Sequence, residues 1–128
     1  MGDAMEIVLY DRELEVMEVL WARGSATVAE VRDALKDEMA YTTVLTVLRR
    51  LEEKGYVTHE EEGRAHRYLP AIERQAARES ALERLTRKLF HGSHALLLTH
   101  LVSRGKLSAA EIRRLREMLD DQQPGEEP

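Results

Sequence analysis

No cysteine occurs in the 128-residue chain, so the sequence offers no disulfide, no thiolate metal ligand and no cysteine nucleophile. Long hydrophobic runs are also absent. The longest apolar block, Ala95–Leu98, is far shorter than the roughly 20 residues that cross a bilayer as a helix. The N-terminus lacks the basic and then apolar pattern of a signal peptide. These absences predict a cytoplasmic protein without membrane insertion.

An excess of positive charge is missing as well. The chain carries 19 Lys+Arg against 24 Asp+Glu, a formal net charge of −5. The acidic excess lies in residues 1–70, which hold nine basic and fifteen acidic side chains. A strongly basic domain would indicate nucleic-acid binding, and the overall balance here counts against it. Any case for a nucleic-acid partner therefore depends on where individual positive side chains lie.

Motifs of catalysis and of metal binding are not found. The sequence has no Gly-rich phosphate loop, no HExxH and no GxSxG. His91, His94 and His100 could suggest zinc, but a Gly-Ser break separates the first two and no second His or Cys cluster exists. We therefore predict neither an enzyme nor a metal ion or other cofactor.

Helical periodicity and helix caps organise the first forty residues. Asp11 is a plausible N-cap for a first helix, with Leu14, Met17 and Trp21 on its apolar face. The sequence TVAE at residues 27–30 is a capping box that opens a short second helix. Two short helices in this arrangement are typical of a helix-turn-helix.

A third helix and a β-hairpin follow. Val44, Val47, Leu48 and Leu51 recur at i, i+3, i+4 and i+7, which predicts the core face of the helix. The period then changes to two over residues 56–69, which indicates two strands around a Glu-Glu-Gly turn. The predicted fold class is mostly α with a small β-hairpin wing, that is, a winged helix-turn-helix.

The second half of the chain reads as three more helices that are too small and too apolar to stand alone. The predicted domains are residues 1–71 (winged helix), 72–121 (helical dimerisation domain) and 122–128 (disordered tail). Ile112, Leu115 and Leu119 are expected to face inward. Apolar surface of this extent usually marks a protein partner, and a two-fold homodimer is the commonest solution. The predicted dimerisation residues are Leu82, Leu85, Leu89, Leu97, Leu101 and Leu115.

The polar face of the third helix has the composition of a surface that binds the DNA major groove. Short hydroxyl side chains approach base edges, and arginines reach phosphates or guanine. The candidate residues on this helix are Thr42, Thr43, Thr46, Arg49 and Arg50. A plain solvated helix face is the alternative, and so is a winged-helix module that binds another protein instead of DNA.

The hairpin supplies a second group of candidates. Arg64, His66 and Arg67 cluster just past its tip, where a wing would bring them near phosphates. Three glutamates at residues 60–62 would repel phosphate and support a plain exposed hairpin instead. If the hairpin is a wing, its contact should come from the second strand.

Several segments together resemble the penicillinase-repressor family, the BlaI/MecI type, which shares a fold with copper-responsive CopY-type repressors. The segments are DRELEVMEVLW, TVAEVRDAL, AYTTVLTVLRRLEEKGYV and GRAHRYLP, and the similarity covers residues 7–120. The resemblance implies a homodimeric transcriptional repressor of resistance or stress genes that binds inverted-repeat operators, often with TACA/TGTA half-sites. It also implies base and phosphate contacts from Thr42, Thr43 and Thr46, a contact from the family's arginine at Arg50, and backbone contact from Arg67.

Three departures from the family pattern limit what carries over. Position 42 is often lysine in penicillinase repressors and is Thr42 here, so one phosphate contact is lost. Copper sensing needs C-terminal cysteines, which this chain lacks. In penicillinase repressors a membrane sensor protease cuts an Asn-Phe bond in the short apolar helix, and the matching pair here is Thr99-His100. Another inducing signal or another protease specificity therefore remains open.

Overall fold

The computed structural model describes residues 6–122 and divides the chain into two compact units, one ending at Leu82 and the other beginning at Glu83. Six helices and three short strands are described within this range. In chain order they are α1 (Asp11–Arg23), β1 (Ala26–Thr27), α2 (Val28–Ala34), α3 (Tyr41–Glu53), β2 (Val57–Glu62), β3 (Ala65–Pro70), α4 (Arg74–Leu89), α5 (His94–Ser103) and α6 (Ala109–Gln122).

The core of the first unit lies where α1, α2 and α3 meet the sheet. The four predicted apolar residues of α3 are all buried, which confirms the periodicity argument for that helix. The capping box of α2 is also confirmed. The amide of Glu30 donates to Thr27 Oγ1 at 3.2 Å, and the amide of Thr27 donates to Glu30 Oε1 at 3.1 Å. The short second helix therefore begins where its sequence specifies.

The first helix differs from the prediction in its start and in its buried face. Its N-cap is Tyr10 rather than Asp11, and the Tyr10 amide donates to Glu13 Oε1 at 2.9 Å. Leu14 is exposed, whereas the carboxylate of Glu13 is fully buried. The apolar pattern suggested the wrong phase because the buried face includes a charged residue. Trp21 lies at the margin of the core, where its indole N–H donates to the carbonyl of Ile72 at 2.9 Å.

The sheet has three strands rather than two, in the order β1-β3-β2, and both pairings are antiparallel. Glu62 pairs with Ala65, so the hairpin loop is Gly63-Arg64 and not the predicted Glu-Glu-Gly turn. Gly63 has a φ of +62°, a conformation that a two-residue hairpin loop often needs and glycine adopts without strain. The shift places all three glutamates, residues 60–62, inside β2.

The first unit extends beyond residue 71, into α4. Ile72, Ala76 and Ala77 pack against the winged-helix core. The Ser80 hydroxyl accepts from the amide of Ile7 at 2.9 Å. The compact units accordingly divide inside α4, eleven residues after the boundary that the composition suggested.

The second unit holds the end of α4 together with α5 and α6. Ser93 caps α5, and a capping box between Ser108 and Glu111 opens α6, with the Ser108 amide 2.8 Å from Glu111 Oε1. Ile112, Leu115 and Leu119 do not face inward within a single protomer, because each is exposed. Of the predicted disordered tail, Gln122 ends α6, and residues 123–128 lie outside the described residues. Among residues 6–122, no helix combines the length and the hydropathy that crossing a bilayer requires.

Candidate nucleic-acid interface

A polar stripe runs along α3 on the side away from the core. Thr42, Thr46 and Arg49 are exposed on it, and Thr43 is half-buried at its edge. The Thr46 hydroxyl donates to the carbonyl of Thr42 at 2.9 Å, so its proton is used inside the helix. Its oxygen can still accept a hydrogen bond, and its methyl group stays outside the helix. The stripe therefore presents hydroxyl oxygens, methyl groups and one arginine on a single rigid helix.

The two arginines of α3 have different surroundings. Arg49 is exposed, and the part of the chain that the structure describes gives it no ion pair. Arg50 is half-exposed and lies on the flank that faces α1, where its Nη1 is 3.9 Å from Glu13 Oε2. A carboxylate at that distance restrains the guanidinium electrostatically while leaving most of its donors available.

The C-terminal end of α3 is fixed by its backbone and by a charged side chain. The Gly55 amide donates to the carbonyl of Glu52 at 3.0 Å, and the Tyr56 amide donates to that of Leu51 at 2.9 Å. These two bonds form a Schellman motif, and Gly55 has the positive φ of +85° that the motif requires. Lys54, the next residue back, forms an ion pair with the buried Glu13. The helix that carries the stripe is therefore held at its end and along its α1 side.

The hairpin brings two of its three candidate residues to the surface. Arg64 is exposed in the two-residue loop. The His66 ring is exposed and stacks on His59 with centroids 4.2 Å apart and planes 11° apart. His59 Nδ1 in turn lies 2.7 Å from Glu52 Oε2. Because an ionised carboxylate only accepts, Nδ1 of His59 donates that bond, which ties the hairpin to α3.

Arg67, the third hairpin candidate, is occupied within the protein. Its Nε and Nη2 donate to the two oxygens of Glu62 at 2.6 and 3.1 Å, and its Nη1 and Nη2 donate to those of Glu30 at 3.0 and 3.3 Å. A longer bond of 3.4 Å joins Nη1 to the Ser25 hydroxyl. A guanidinium has five N–H donors, and these five bonds use all of them. The expectation that Arg67 contacts phosphate does not match this geometry.

The same bonds shift the pKa values of the three charged groups. Hydrogen bonds from Arg67 hold the pKa of Glu62 and that of Glu30 below their ordinary value of 4.5, and a bond from the Thr27 amide adds to the effect at Glu30. Hydrogen bonding to Glu62 and then to Glu30 raises the pKa of Arg67 above its ordinary value. All three groups are therefore charged at neutral pH.

Two features of this surface were missed from the sequence. The burial of Glu13 was not predicted, and Glu62 was taken as a charge that repels phosphate. In each case the decisive partner comes from another element, at a separation of 41 residues for Lys54 and five residues across the hairpin for Arg67. A glutamate at a position of α1 that points to the core, with a lysine at the end of α3, was the available signal.

The histidines of the second unit form separate contacts. His94 Nε2 lies 2.8 Å from Glu83 Oε2, and the ring of His100 meets that of Phe90 edge to face with centroids 5.9 Å apart. Within residues 6–122, no three His, Cys, Asp or Glu side chains are grouped so that they could hold a metal ion.

A winged helix-turn-helix with a threonine- and arginine-bearing third helix defines the class of DNA-binding transcriptional regulators. A family model described as "Penicillinase repressor" matches residues 9–121. The chain belongs to the penicillinase-repressor family. The family and its named relatives are repressors and regulators of transcription, not enzymes.

Individual relatives agree with this assignment. The "Transcriptional regulator BlaI" of Mycobacterium tuberculosis is 37% identical over 121 residues, covering 91% of this chain and 86% of that protein. The "Penicillinase repressor" of Bacillus licheniformis is 30% identical over 113 residues, covering 87% and 88%. A solution structure of the DNA-binding domain of the repressor BlaI matches 56% of this chain and 93% of that domain, at 36% identity and a TM-score of 0.50. These matches confirm the family and the winged-helix fold that the sequence predicted.

Proposed function

We propose that this protein represses transcription by binding an inverted-repeat operator as a homodimer, with α3 of each protomer in a major groove. The exposed stripe of Thr42, Thr46 and Arg49, directly opposite the buried face of α3, is the observation that carries the proposal. A helix needs such a stripe to approach base edges, and a helix that only packs a core does not. The printed names of the relatives, a regulator and a repressor, support the same function.

The proposed contacts follow the position of each side chain. Thr42, Thr43 and Thr46 lie toward the N-terminal half of α3 and contact bases or nearby phosphates. Arg49 and Arg50, further along, contact guanine or phosphate. Direct base contacts supply sequence preference, and phosphate contacts set the orientation of the protein on the duplex.

The loop and the second strand of the hairpin contact the phosphate backbone of the DNA. Arg64 is exposed in the loop and is the proposed phosphate contact, with His66 beside it. The acidic net charge gives little general attraction to DNA. Affinity therefore depends on a few local cations and on the simultaneous binding of two linked winged helices.

The apolar surface of the helices after the wing supports a homodimer. Seen in one protomer, Leu82, Leu85, Leu89 and Leu101 are exposed, with Leu89 at 69%. Exposed leucines in this number are unfavourable in water and are buried by a second copy. The proposed interface also includes two half-buried or weakly exposed positions, Leu97 and Leu115.

A sensor protease is the proposed source of the inducing signal. Thr99 and His100 are both exposed on α5 of the protomer, which has no fully buried residue among its ten. In a separated protomer, a helix with so few buried contacts opens locally at low cost, and a protease needs an extended segment. Binding to chromosomal DNA would place the action of the protein in the cytoplasm.

A winged helix that binds a protein instead of DNA is the competing function. The acidic surface favours it, whereas the threonine and arginine stripe has no role in it. Fluorescence anisotropy of the purified protein distinguishes the two, with the DNA upstream of its own gene as one probe and a scrambled duplex as the other. We expect saturable preference for the upstream duplex, with an affinity that falls linearly in a log–log salt plot at about 0.9 per phosphate contact. Equal and weak binding to both duplexes, and no DNA enriched from a genomic library, would contradict DNA reading.

A further inference from the structure

We propose that Arg67 is a positioning residue that fastens the wing to α2, and that the phosphate contact of the wing is made by Arg64. The proposal rests on the DNA-binding function argued above. It reassigns the cation that both the spacing and the family resemblance favoured as a contact to phosphate.

The guanidinium of Arg67 has no donor left for a phosphate. Both oxygens of Glu62 and both oxygens of Glu30 accept from Arg67, each in a two-bond fork. Two-bond pairs of this kind fix orientation as well as distance, which a lysine could not reproduce. To reach a phosphate, Arg67 would have to break at least one fork and leave a carboxylate facing the DNA. At neutral pH both carboxylates are ionised, so an unpaired one would repel the phosphates.

The two carboxylates that hold Arg67 come from different elements of the fold. Glu62 is the last residue of β2, beside the hairpin loop, and Glu30 lies in the first turn of α2. Glu30 also accepts from the Thr27 amide at 3.1 Å and lies 3.6 Å from Arg23 at the end of α1. The network therefore links the wing to both of the helices that precede α3. Two exposed ion pairs alone stabilise little, but a shared fork restricts the direction in which the hairpin points.

Arg64 is placed to contact phosphate by the same network. It lies between Glu62 and Arg67 in the chain, inside the loop that the network holds. Its side chain is exposed and has no ion pair within the part of the chain that the structure describes. The bonds between Arg67 and Glu62 hold the β2 end of the loop against β3 and restrict where the Arg64 side chain begins, so a phosphate contact from it loses less conformational entropy.

Removing the negative charge of Glu62 distinguishes a positioning role of Arg67 from a general effect of charge on DNA binding. If the charge of the wing alone mattered, Glu62→Gln would remove a repulsive carboxylate and strengthen DNA binding. If Glu62 holds Arg67, the same variant loosens the wing and weakens binding. Glu61→Gln is the matched control, since Glu61 is the neighbouring exposed residue on the other face of β2 and forms no ion pair among residues 6–122.

The first experiment compares the two variants by anisotropy on the upstream duplex and on a scrambled one. We expect Glu61→Gln to bind as tightly as the native protein or slightly more tightly. We expect Glu62→Gln to bind about two- to fivefold more weakly, the range of one exposed ion pair. Combined with Arg64→Gln, the Glu62 substitution should have no further effect, because its action passes through Arg64. Equal affinities for the two glutamine variants, or independent effects in the double variant, would overturn the proposal.

A second measurement decides the same point without DNA. Amide hydrogen exchange across residues 60–67 should be faster in Glu62→Gln than in Glu61→Gln, with thermal unfolding used to confirm that both variants fold. Equal exchange in the two variants would overturn the fastening role even if no duplex is bound. If exchange differs but the native protein neither prefers the upstream duplex nor enriches DNA from a genomic library, the fastening role stands and the proposed DNA function fails.

Discussion

Both carboxylate oxygens of Glu13 lie 2.9 Å from the ammonium nitrogen of Lys54, and the carboxylate has no exposed surface. The pair joins α1 to the end of α3, the helix that bears the polar stripe. The ammonium also lies over the Tyr10 ring, 4.9 Å from its centroid. A buried ion pair of this kind adds little net stability over an apolar pair of the same shape, but losing one partner leaves an uncompensated charge.

Glu13→Ala should therefore destabilise the fold strongly. We expect the free energy of unfolding in urea to fall by about 3 kcal/mol. The Lys54 side chain is only 29% exposed, and without Glu13 its charge would be largely covered and without its partner. Glu53→Ala removes an exposed carboxylate from α3 and should change it by about 0.5 kcal/mol or less. A Glu13 variant as stable as the Glu53 variant would show that the ion pair contributes nothing to the packing of α1 on α3.

Arg50→Ala should weaken binding to the operator and leave the fold intact. The side chain is 49% exposed on α3, so its loss costs little packing, whereas the loss of an arginine contact costs about 1–3 kcal/mol of binding free energy. Anisotropy on the upstream duplex measures the effect, and circular dichroism checks the fold. Arg12→Ala, an exposed arginine on α1, is the matched control. Affinities that match in the two variants would remove Arg50 from the DNA contacts.

Leu89→Ser should convert the proposed homodimer to a monomer. Leu89 is 69% exposed in the protomer, so the substitution removes apolar surface that the proposed interface would bury. Sedimentation equilibrium measures the dissociation constant, and Lys88→Ser on the same helix is the control. The Lys88 variant should stay dimeric. If the Leu89 variant also sediments as a dimer at the same concentrations, the interface lies elsewhere.

Lowering the pH should weaken the bonds from Arg67 to Glu30 and Glu62 and so loosen the hairpin. The pKa values of Glu30 and Glu62 in the folded protein lie below the ordinary 4.5, since both carboxylates accept hydrogen bonds from Arg67. A carboxyl group with a lowered pKa contributes its stability above the unfolded-state value and loses it as the pH falls through the folded-state value. Amide exchange in β2 and β3, corrected for intrinsic rates, should therefore accelerate relative to the α3 core below about pH 4.5. Glu62→Gln should show a weaker pH dependence, and an unchanged dependence would contradict this origin.

The elements that the sequence predicted well are those in which one chemical preference decides the outcome. The apolar residues of α3 have no polar competitor at their positions, and the threonine of the α2 capping box has its glutamate partner three residues away. The first helix was predicted less well because its buried face includes Glu13, whose charge is compensated by a residue of another helix. Periodicity counts apolar side chains and cannot include such a residue.

The candidate site divides in the same way. Exposure of Thr42, Thr46 and Arg49 follows from the helical phase alone, so the α3 stripe could be predicted. The ion pairs of Arg67 could not be predicted, because Glu30 comes near Arg67 only after β1 pairs with β3. β1 has two residues, which is too short for a period-two pattern to be visible. Charged side chains in a hairpin thus need the tertiary structure before they can be assigned to DNA or to the protein.

Selection from a pool of random-sequence duplexes by the native protein tests the DNA-reading role of α3 most directly. We expect enrichment of a two-fold symmetric site, with half-sites whose centres lie about 10 base pairs apart or a multiple of that spacing, since two linked α3 helices must enter successive major grooves. A pool that remains random after repeated rounds, while the protein stays folded and dimeric, would contradict sequence-specific reading of DNA by this chain.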